Sequence, residues 1–353
     1  MINLINKLRN KYFKGCWAQI LFFVVLSLLV IIGGMYGIGA WYRHSQASKP
    51  LELGVSFIPA YADSLGVDPQ TTMQSLIDDI GVRNFRLVSY WDQLEPSAGK
   101  YNFSLLDWQF VKAEKAHATI TLSVGLRQPR WPECHMPAWA TNEPVSVWQP
   151  QLEAFMTQVI QRYKGSPALQ SYQLENEYFM QGFGTCTNFD RQRLVDEYAL
   201  VKKLDPSRPV IITRSNNLVG WPVGKPTPDE FATSIYRRVW NTNIYKGYFD
   251  YPVPAWYYSF IAGWQKIFTG RDMMIHELQA EAWPPNRQTV AETSLAEQNK
   301  SFNASMFQGR VDFAKATGMR QIYLWGGEYW YYRMVVLHDP SLWNAAKSEF
   351  QQN

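Results

Sequence analysis

The chain has 353 residues and a formal charge of +4, and its 46% apolar content excludes wholesale disorder. This length suits one large α/β barrel, which typically has about 250 residues. Residues 1–44 contain five cations and no acid, so the remaining 29 cations stand against all 30 acids and the body carries a net charge of −1. A body so close to neutrality argues against a nucleic-acid partner.

The first predicted element is a membrane anchor. No charged residue occurs from Gly15 to Tyr42, and a spanning helix needs about 20 apolar residues. A cleaved signal peptide, which usually has an apolar stretch of only about 7–15 residues, is the alternative. Four cations precede the segment and one follows it, so we expect a cytoplasmic N-terminus and an extracellular body, single-pass in the cell membrane. The expected organisation is a basic tail at 1–14, an anchor at 15–42, a linker at 43–51 and a catalytic domain at 52–353.

Two cysteines, Cys134 and Cys186, lie in the body. Outside the membrane they could form a disulfide. The alternative is a pair of buried free thiols.

Short β-rich runs alternate with helical patterns along the body. The predicted strands are Leu53–Ile58, Asn84–Ser89, Thr119–Val124, Leu169–Leu174, Val210–Thr213, Thr242–Tyr245, Met273–Glu277 and Gln321–Trp325. The predicted helices are Pro69–Ile80, Leu105–Ala116, Gln149–Tyr163, Arg191–Leu204, Pro228–Val239, Tyr257–Phe268 and Leu295–Thr317. Eight strands alternating with helices favour a (β/α)8 TIM barrel over an open sheet.

Carboxylates at the ends of the predicted strands indicate the chemistry. Active sites of such barrels lie where the strands end, and Glu177 and Glu277 follow the fourth strand and end the seventh. Cleavage of a glycosidic bond needs two flanking carboxyl groups, of which one protonates the leaving oxygen and the other attacks the sugar or activates water. The sequence contains no nucleotide or metal motif, so we expect neither a cofactor nor a metal.

Two segments resemble the clan A retaining glycoside hydrolases, which include cellulase-like and β-galactosidase-like barrels. The segment Gln173-Leu174-Glu175-Asn176-Glu177-Tyr178 resembles their strand-four Asn-Glu signature, and the segment from Arg271 to Leu278 resembles their strand seven. The resemblance implies that Glu177 is the general acid/base and that Glu277 is the nucleophile.

Other residues extend the resemblance over residues 52–345. It implies that Arg86 lies beside the nucleophile, that Tyr245 donates a hydrogen bond to it, and that Trp325 floors the first sugar subsite. The further predicted substrate-binding residues are Trp91, His135, Asn176 and Glu281.

Several alternatives remain open at this point. Glu175 would share a face with Glu177 if the strand continued, and Glu281 competes in the same way with Glu277. Glu328 is a further candidate, and the other tryptophans either stack on sugars or fill the core; they include Trp131, Trp139 and Trp283. We expect a membrane-anchored, extracytoplasmic, retaining β-glycoside hydrolase that acts on an oligo- or polysaccharide. A carbohydrate-binding surface protein without activity and a transglycosylase are the alternatives.

Overall fold

The computed structural model describes residues 16–186, 188–215, 224–242 and 245–352. The predicted basic tail at 1–14 therefore lies outside the described residues. The described strands are β1 (Glu52–Phe57), β2 (Asn84–Val88), β3 (Thr119–Val124), β4 (Leu169–Leu174), β5 (Val210–Arg214), β6 (Glu230–Ile235), β7 (Arg238–Asn241), β8 (Gly247–Asp250), β9 (Met273–Gln279) and β10 (Gln321–Trp325).

The described helices lie before, between and after these strands along the chain. They are α1 (Cys16–Gln46), α2 (Pro59–Ser64), α3 (Pro69–Ser75), α4 (Trp91–Leu94), α5 (Ser104–Lys115), α6 (Val145–Tyr163), α7 (Arg191–Leu204), α8 (Ala255–Thr269), α9 (Leu295–Ser301), α10 (Ala304–Ala316), α11 (Gly327–Val335) and α12 (Ser341–Gln352). A π-helical turn spans Leu76–Ile80, and 3₁₀ turns span Pro285–Arg287 and Val290–Glu292.

Eight parallel strands close into a barrel in the order β1-β10-β9-β6-β5-β4-β3-β2, which confirms the predicted TIM barrel. The strands are buried on both faces, as their near-continuous apolar runs require. Ile211, Ala232, Met274 and Tyr323 form one cluster inside the barrel. We call the end of the barrel at the C-terminal ends of these strands the mouth.

The sixth barrel strand is β6, and the prediction of a helix over Pro228–Val239 is wrong. Phe231, Ile235 and Val239 recur at helical spacing, yet β6 pairs in parallel with both β5 and β9. Tertiary pairing overrides the local pattern here. Val239 belongs to β7, which forms an antiparallel hairpin with β8 outside the barrel. The other predicted candidate, Thr242–Tyr245, includes two residues outside the described ones, and its ends lie in bends within this hairpin.

Helix α1 has 31 residues, and at 1.5 Å per residue it is about 46 Å long. Its apolar part is long and apolar enough to cross a membrane, and none of the most apolar 18-residue window is buried. The helix continues through Gln46 into the stretch predicted to be a linker. Gln46 Nε2 lies 3.1 Å from Asp272 Oδ1 and Lys49 Nζ lies 2.7 Å from Asp272 Oδ2. The stretch at 43–51 is therefore part of the packed structure.

Cys134 and Cys186 form a disulfide across a sequence separation of 52. Cys134 lies in the loop after β3 and Cys186 in the loop after β4, so the bond joins two neighbouring loops at the mouth.

We expect the double variant Cys134→Ser/Cys186→Ser to unfold more easily than the parent. The bond closes a loop of 52 residues, and loss of such a constraint lowers the free energy of unfolding by about 4 kcal/mol. Urea unfolding measures the change, with Cys16→Ser as the matched control. An unchanged midpoint in the double variant would contradict this expectation.

Candidate active site

Arg86 lies at the centre of the polar cluster in the mouth. Its side chain is 1% exposed, and it extends from β2 into the barrel. Nε donates to Gln173 Oε1 at 2.6 Å, and Nη1 donates to Glu277 Oε1 at 2.8 Å and to Ser56 Oγ at 3.2 Å. Nη2 donates to Asn176 Oδ1 at 2.9 Å. A buried cation needs such partners, and four of them converge from three strands and the loop after β4.

A β-bulge in β9 brings Glu277 into this cluster. Thr233 pairs with Ile275, but the next residue of β6, Ser234, pairs with Glu277, so β9 carries one additional residue, His276. Bulges re-aim side chains and are enriched beside active sites. Glu277 also accepts a hydrogen bond from the Tyr236 hydroxyl at 2.9 Å, on the oxygen that Arg86 leaves free.

Glu177 has different surroundings from Glu277. Its backbone N–H donates to Thr213 Oγ1 at 2.7 Å, and the Ser234 hydroxyl lies 2.5 Å from its Oε1. No basic side chain within the described residues forms an ion pair with it by direct contact. Burial, followed by the charge of Glu277, raises the pKa of Glu177 to about 7. Glu177 therefore holds a proton near neutral pH, while Glu277 is paired with a guanidinium.

The two carboxyl groups lie close together. One oxygen of Glu177, one oxygen of Glu277 and a ring nitrogen of His276 all lie within 4.8 Å of one another. Carboxyl groups of retaining glycosidases are about 5–5.5 Å apart, whereas inverting enzymes separate them by about 6.5–9.5 Å. Two carboxyl groups whose nearest oxygens are this close can flank a single glycosidic bond.

The same three residues have the donor types of a metal site. Arg86 and Tyr236, however, already occupy both oxygens of Glu277. A metal bound by Glu277 would also lie against the Arg86 guanidinium, which is 2.8 Å from that carboxylate. This donor set fits a paired carboxylate better than a cation site.

Glu175 points away from the carboxyl pair. The strand ends at Leu174, and both Glu175 and Glu177 adopt positive φ, of 55° and 44°. Glu175 is fully buried and lies 2.8 Å from Arg193 Nη1 of α7. Its oxygens accept the backbone N–H groups of residues 126 and 127. These contacts hold the loop after β3 and direct the Glu175 carboxylate to Arg193.

Asn176 lies between Arg86 and the carboxyl group of Glu133, which was not among the predicted site residues. Asn176 Nδ2 donates to Glu133 Oε2 at 3.0 Å, and Arg127 Nη2 lies 3.5 Å from the same oxygen. Burial raises the pKa of Glu133 to about 8, against the lowering effect of Arg127. Glu133 directly precedes the disulfide-bonded Cys134, and a Cβ on Gly184 would lie 2.8 Å from its Cβ. The two loops that the disulfide joins therefore hold the Glu133 side chain in place.

Trp325 and Glu281 lie together on the other side of the mouth. The indole N–H of Trp325 donates to Glu281 Oε1 at 2.8 Å, and Arg130 Nη2 lies 3.1 Å from Glu281 Oε2. The Arg130 guanidinium is 4.6 Å from the Trp325 ring centroid and 3.3 Å from that of Tyr61. Beneath them, burial raises the pKa of Glu328 to about 7, and Glu328 accepts the backbone N–H of Ile58. Glu281 is thus a partner of Trp325 and Arg130, outside the carboxyl pair.

Two predicted substrate-binding residues lie in packed surroundings instead. Trp91 is fully buried, packs on Trp139 and Phe155, and donates its N–H to Glu95 at 2.7 Å. No face of its ring is open to a sugar, so the prediction that Trp91 binds substrate is wrong. His135 is 5% exposed and stacks on Tyr90 at 3.5 Å between ring centroids.

Other tryptophans remain available to a ligand. Trp131 is 61% exposed in the loop after β3. Trp283 is half-buried and packs edge-on against Tyr236, with 5.6 Å between the ring centroids. Trp139, by contrast, packs against the core beside Trp91, and its indole N–H donates to the Glu95 carbonyl.

Tyr236, rather than Tyr245, donates to Glu277. Tyr245 is 48% exposed, and its hydroxyl donates to the backbone carbonyl of Tyr248. The prediction for Tyr245 is therefore wrong, and the error follows from the misplaced sixth strand. Ser234 was missed for the same reason. The alternation of Ala232 and Ser234 with Phe231, Thr233 and Ile235 is the signal that could have revealed β6 and its terminal tyrosine.

Comparison with known proteins supports the fold. No family model and no curated protein matches the sequence. Among solved structures, a β-galactosidase from Halorubrum lacusprofundi superposes with a TM-score of 0.55 at 13% identity over 86% of this chain and 58% of its own. An endo-β-1,4-xylanase from Gloeophyllum trabeum gives 0.52 at 16% identity, with 79% and 85% covered. A xylanase from Thermotoga maritima gives 0.53 at 13% identity, with 86% and 97% covered.

These structural neighbours are clan A glycoside hydrolases, the group that the two sequence motifs resemble. The chain spans little more than half the length of the haloarchaeal β-galactosidase. At such identities the likeness concerns the fold.

We expect Glu177→Gln to stabilise the protein at alkaline pH. The folded pKa of Glu177, about 7, exceeds its ordinary value of 4.5, so the folded state binds more protons than the unfolded state between these values. The stability of the parent chain therefore falls as pH rises through this window. Glutamine carries no charge to bury, so the melting temperature of the variant should exceed that of the parent at pH 8.

The advantage of Glu177→Gln should vanish below about pH 4.5, where both states of the parent are protonated. Thermal unfolding between pH 4 and pH 9 measures the difference, with the exposed Glu143→Gln as control. A difference between variant and parent that does not vary with pH would refute the raised pKa.

Proposed function

We propose that this chain is a membrane-anchored, extracytoplasmic, retaining β-glycoside hydrolase. The observation that carries the proposal is the carboxyl pair. One oxygen of Glu177 lies within 4.8 Å of one oxygen of Glu277 in the mouth of the barrel. Burial and the neighbouring charge raise the pKa of Glu177 to about 7, whereas Glu277 pairs with Arg86. A pair divided in this way has the acid and the nucleophile that double displacement needs.

Glu277 is suited to attack the anomeric carbon. Arg86 and Tyr236 each donate a hydrogen bond to one of its oxygens, and Arg86 forms a buried ion pair with it. Nucleophilic attack by a carboxylate breaks the glycosidic bond and forms a glycosyl-enzyme. The two hydrogen bonds also orient the carboxylate, which lowers the entropy lost on reaching the transition state.

Glu177 is suited to move the proton. In the first step its proton passes to the leaving oxygen, and the resulting carboxylate then takes a proton from the water that hydrolyses the glycosyl-enzyme. Formation of the glycosyl ester neutralises Glu277, so the charge that raises the pKa of Glu177 disappears at this stage. The same group can therefore act as an acid in the first step and as a base in the second.

The N-terminal segment supports the location. Its helix is long and apolar enough to span a bilayer, and the excess of cations before it favours a cytoplasmic N-terminus. The disulfide of the body fits an oxidising compartment. The substrate we propose is an oligo- or polysaccharide, for which Trp131 and Trp283 offer aromatic rings at the mouth.

We expect Glu177→Ala and Glu277→Gly to lose most activity in the full chain. A panel of aryl β-glycosides and β-glycans identifies a substrate for the parent. Loss of a general acid typically costs about 10²–10⁴-fold in rate, and loss of the nucleophile should cost at least as much. Glu143→Gln, which changes an exposed glutamate just before α6, is the matched control.

Azide assigns the two roles. On an activated aryl β-glycoside, Glu177→Ala should yield the β-glycosyl azide, because azide attacks the glycosyl-enzyme that still forms. Glu277→Gly should yield the α-glycosyl azide by a single displacement. Binding without turnover, unchanged by either substitution, would instead indicate a carbohydrate-binding protein, and transfer to acceptor sugars in place of water would indicate a transglycosylase.

We expect Tyr236→Phe to lower kcat and Tyr245→Phe to leave it unchanged. The Tyr236 hydroxyl donates to Glu277, whereas Tyr245 donates to a backbone carbonyl in the hairpin. Loss of a hydrogen bond to a charged group costs about 1.5–3 kcal/mol, or about 10-fold or more in rate. Steady-state kinetics on the same aryl glycoside makes the comparison, and equal rates for the two variants would show that the Tyr236 contact has no role.

A further inference from the structure

The C-terminal end of helix α1 contacts the barrel at the N-terminal end of its strands. The Tyr42 hydroxyl donates to the backbone carbonyl of Met273, the first residue of β9, at 3.3 Å. Gln46 and Lys49 bind Asp272, the residue before it. Residues 42–49 therefore lie at the end of the barrel opposite the mouth.

The middle of α1 runs alongside α8 towards the mouth. Helix α8 begins near the mouth, where the Val253 carbonyl accepts a hydrogen bond from Arg237 just beyond the end of β6, and it ends just before β9. The Tyr36 ring packs on that of Trp256, in the first turn of α8, with 6.0 Å between centroids. Going back along α1 from residue 46 to residue 36 thus leads from the far end of the barrel to the level of the mouth.

Two glycines make this contact close. A Cβ on Gly39 would lie 2.9 Å from the Trp256 carbonyl oxygen, and a Cβ on Gly263 would lie 2.9 Å from the Ile38 side chain. Small residues allow two helix backbones to approach in this way. Gly39 and Tyr42 are buried in the contact, so α1 is packed against the barrel along this stretch.

Tyr36 of α1 and Glu277 lie at similar heights along the barrel axis. Tyr36 lies six residues before Tyr42, a rise of about 9 Å along the helix. Glu277 lies four residues after Met273, but the bulge at His276 reduces the advance to that of three residues, about 10 Å along a strand, which a barrel tilt of about 36° reduces to about 8 Å along the axis. The exposed apolar part of α1, which precedes Tyr36, therefore begins at about the height of the carboxyl pair and extends beyond the mouth.

We propose that the mouth of the barrel faces the bilayer and that the substrate is a glycan whose carrier is embedded in the same membrane. This inference rests on the proposed anchor and activity. If the apolar part of α1 spans the membrane, the packed remainder holds the mouth at the bilayer surface. Trp131 and Tyr245, both exposed on loops at the mouth, are the amphipathic side chains that such an interface favours.

The orientation is tested with the full chain in phosphatidylcholine vesicles. In a Cys16→Ser background the other two cysteines are bonded to each other. An introduced cysteine is then the free thiol with which a thiol-reactive dye combines. Donors are placed at Trp131→Cys at the mouth and at Lys164→Cys, which is exposed between α6 and β4 at the opposite end. Acceptors are lipid headgroups carrying a dye.

Energy transfer from position 131 should exceed that from position 164 by about twofold or more, since most of the barrel height separates them. Equal or reversed efficiencies would overturn the inference. A third donor at Leu29→Cys, in the exposed apolar part of α1, reports insertion. Absence of an apolar environment at position 29 would refute the anchor itself, and this result is distinct from a wrong orientation.

The substrate class is tested with one sugar on two carriers. The β-glycoside that the panel identifies is attached either to a soluble dye or to a dialkyl lipid, which is placed in the same vesicles as the protein or in separate ones. We expect cleavage of the lipid-linked sugar to be about 10-fold faster in the same vesicles. Gly263→Leu, which should separate α1 from α8, should lose that preference and keep its rate on the soluble glycoside.

Equal rates in the same and in separate vesicles would overturn the proposed substrate class. Should Gly263→Leu fail to fold, the energy-transfer comparison still decides the orientation. Absence of cleavage of either carrier would refute the proposed hydrolase while leaving the orientation measurable.

Discussion

The buried guanidinium of Arg86 is the constraint on which the polar interior of the barrel depends. A charge that is 1% exposed is tolerated only when hydrogen bonds and an opposite charge surround it. Ser56, Gln173, Asn176 and Glu277 supply these from β1, β4, the loop after β4 and β9. Removal of one partner of a buried ion pair typically costs about 3–5 kcal/mol, so the position of each partner is coupled to the position of the others.

This coupling separates the properties of two chemically identical side chains. Both glutamates are buried, but Glu277 receives the guanidinium and a phenol, whereas Glu177 receives hydroxyl partners and the charge of Glu277. A raised pKa on one carboxyl group beside an ion-paired one is the arrangement that acid–nucleophile chemistry requires. Glu133 extends the network outwards through Asn176, so the loops joined by the disulfide also contact the residue that precedes Glu177.

Helix α1 is packed against the barrel that carries this site. Because α1 packs on α8 through glycines and ends in polar contacts with Asp272, the direction of the helix and that of the barrel are not independent. A helix joined to the barrel through a flexible linker would leave the mouth free to face any direction. The packed helix instead makes the position of the carboxyl pair along the axis of α1 a property of the fold.

The sequence by itself determined the barrel, the apolar N-terminal helix, both members of the carboxyl pair and Arg86, because strand alternation and residues at strand ends are local patterns. The Asn-Glu order favoured Glu177 over Glu175, and the turn after Leu174 supplies the physical reason, because it directs Glu175 to Arg193 and Glu177 to the mouth. Only the tertiary structure shows that Tyr236, Ser234 and Glu133 belong to the site. Helical spacing in β6 was overridden by pairing with two neighbouring strands, and Glu133 reaches the site through a loop that a distant cysteine holds. Local pattern encodes which elements form, whereas contacts between residues far apart in the chain decide which side chains meet.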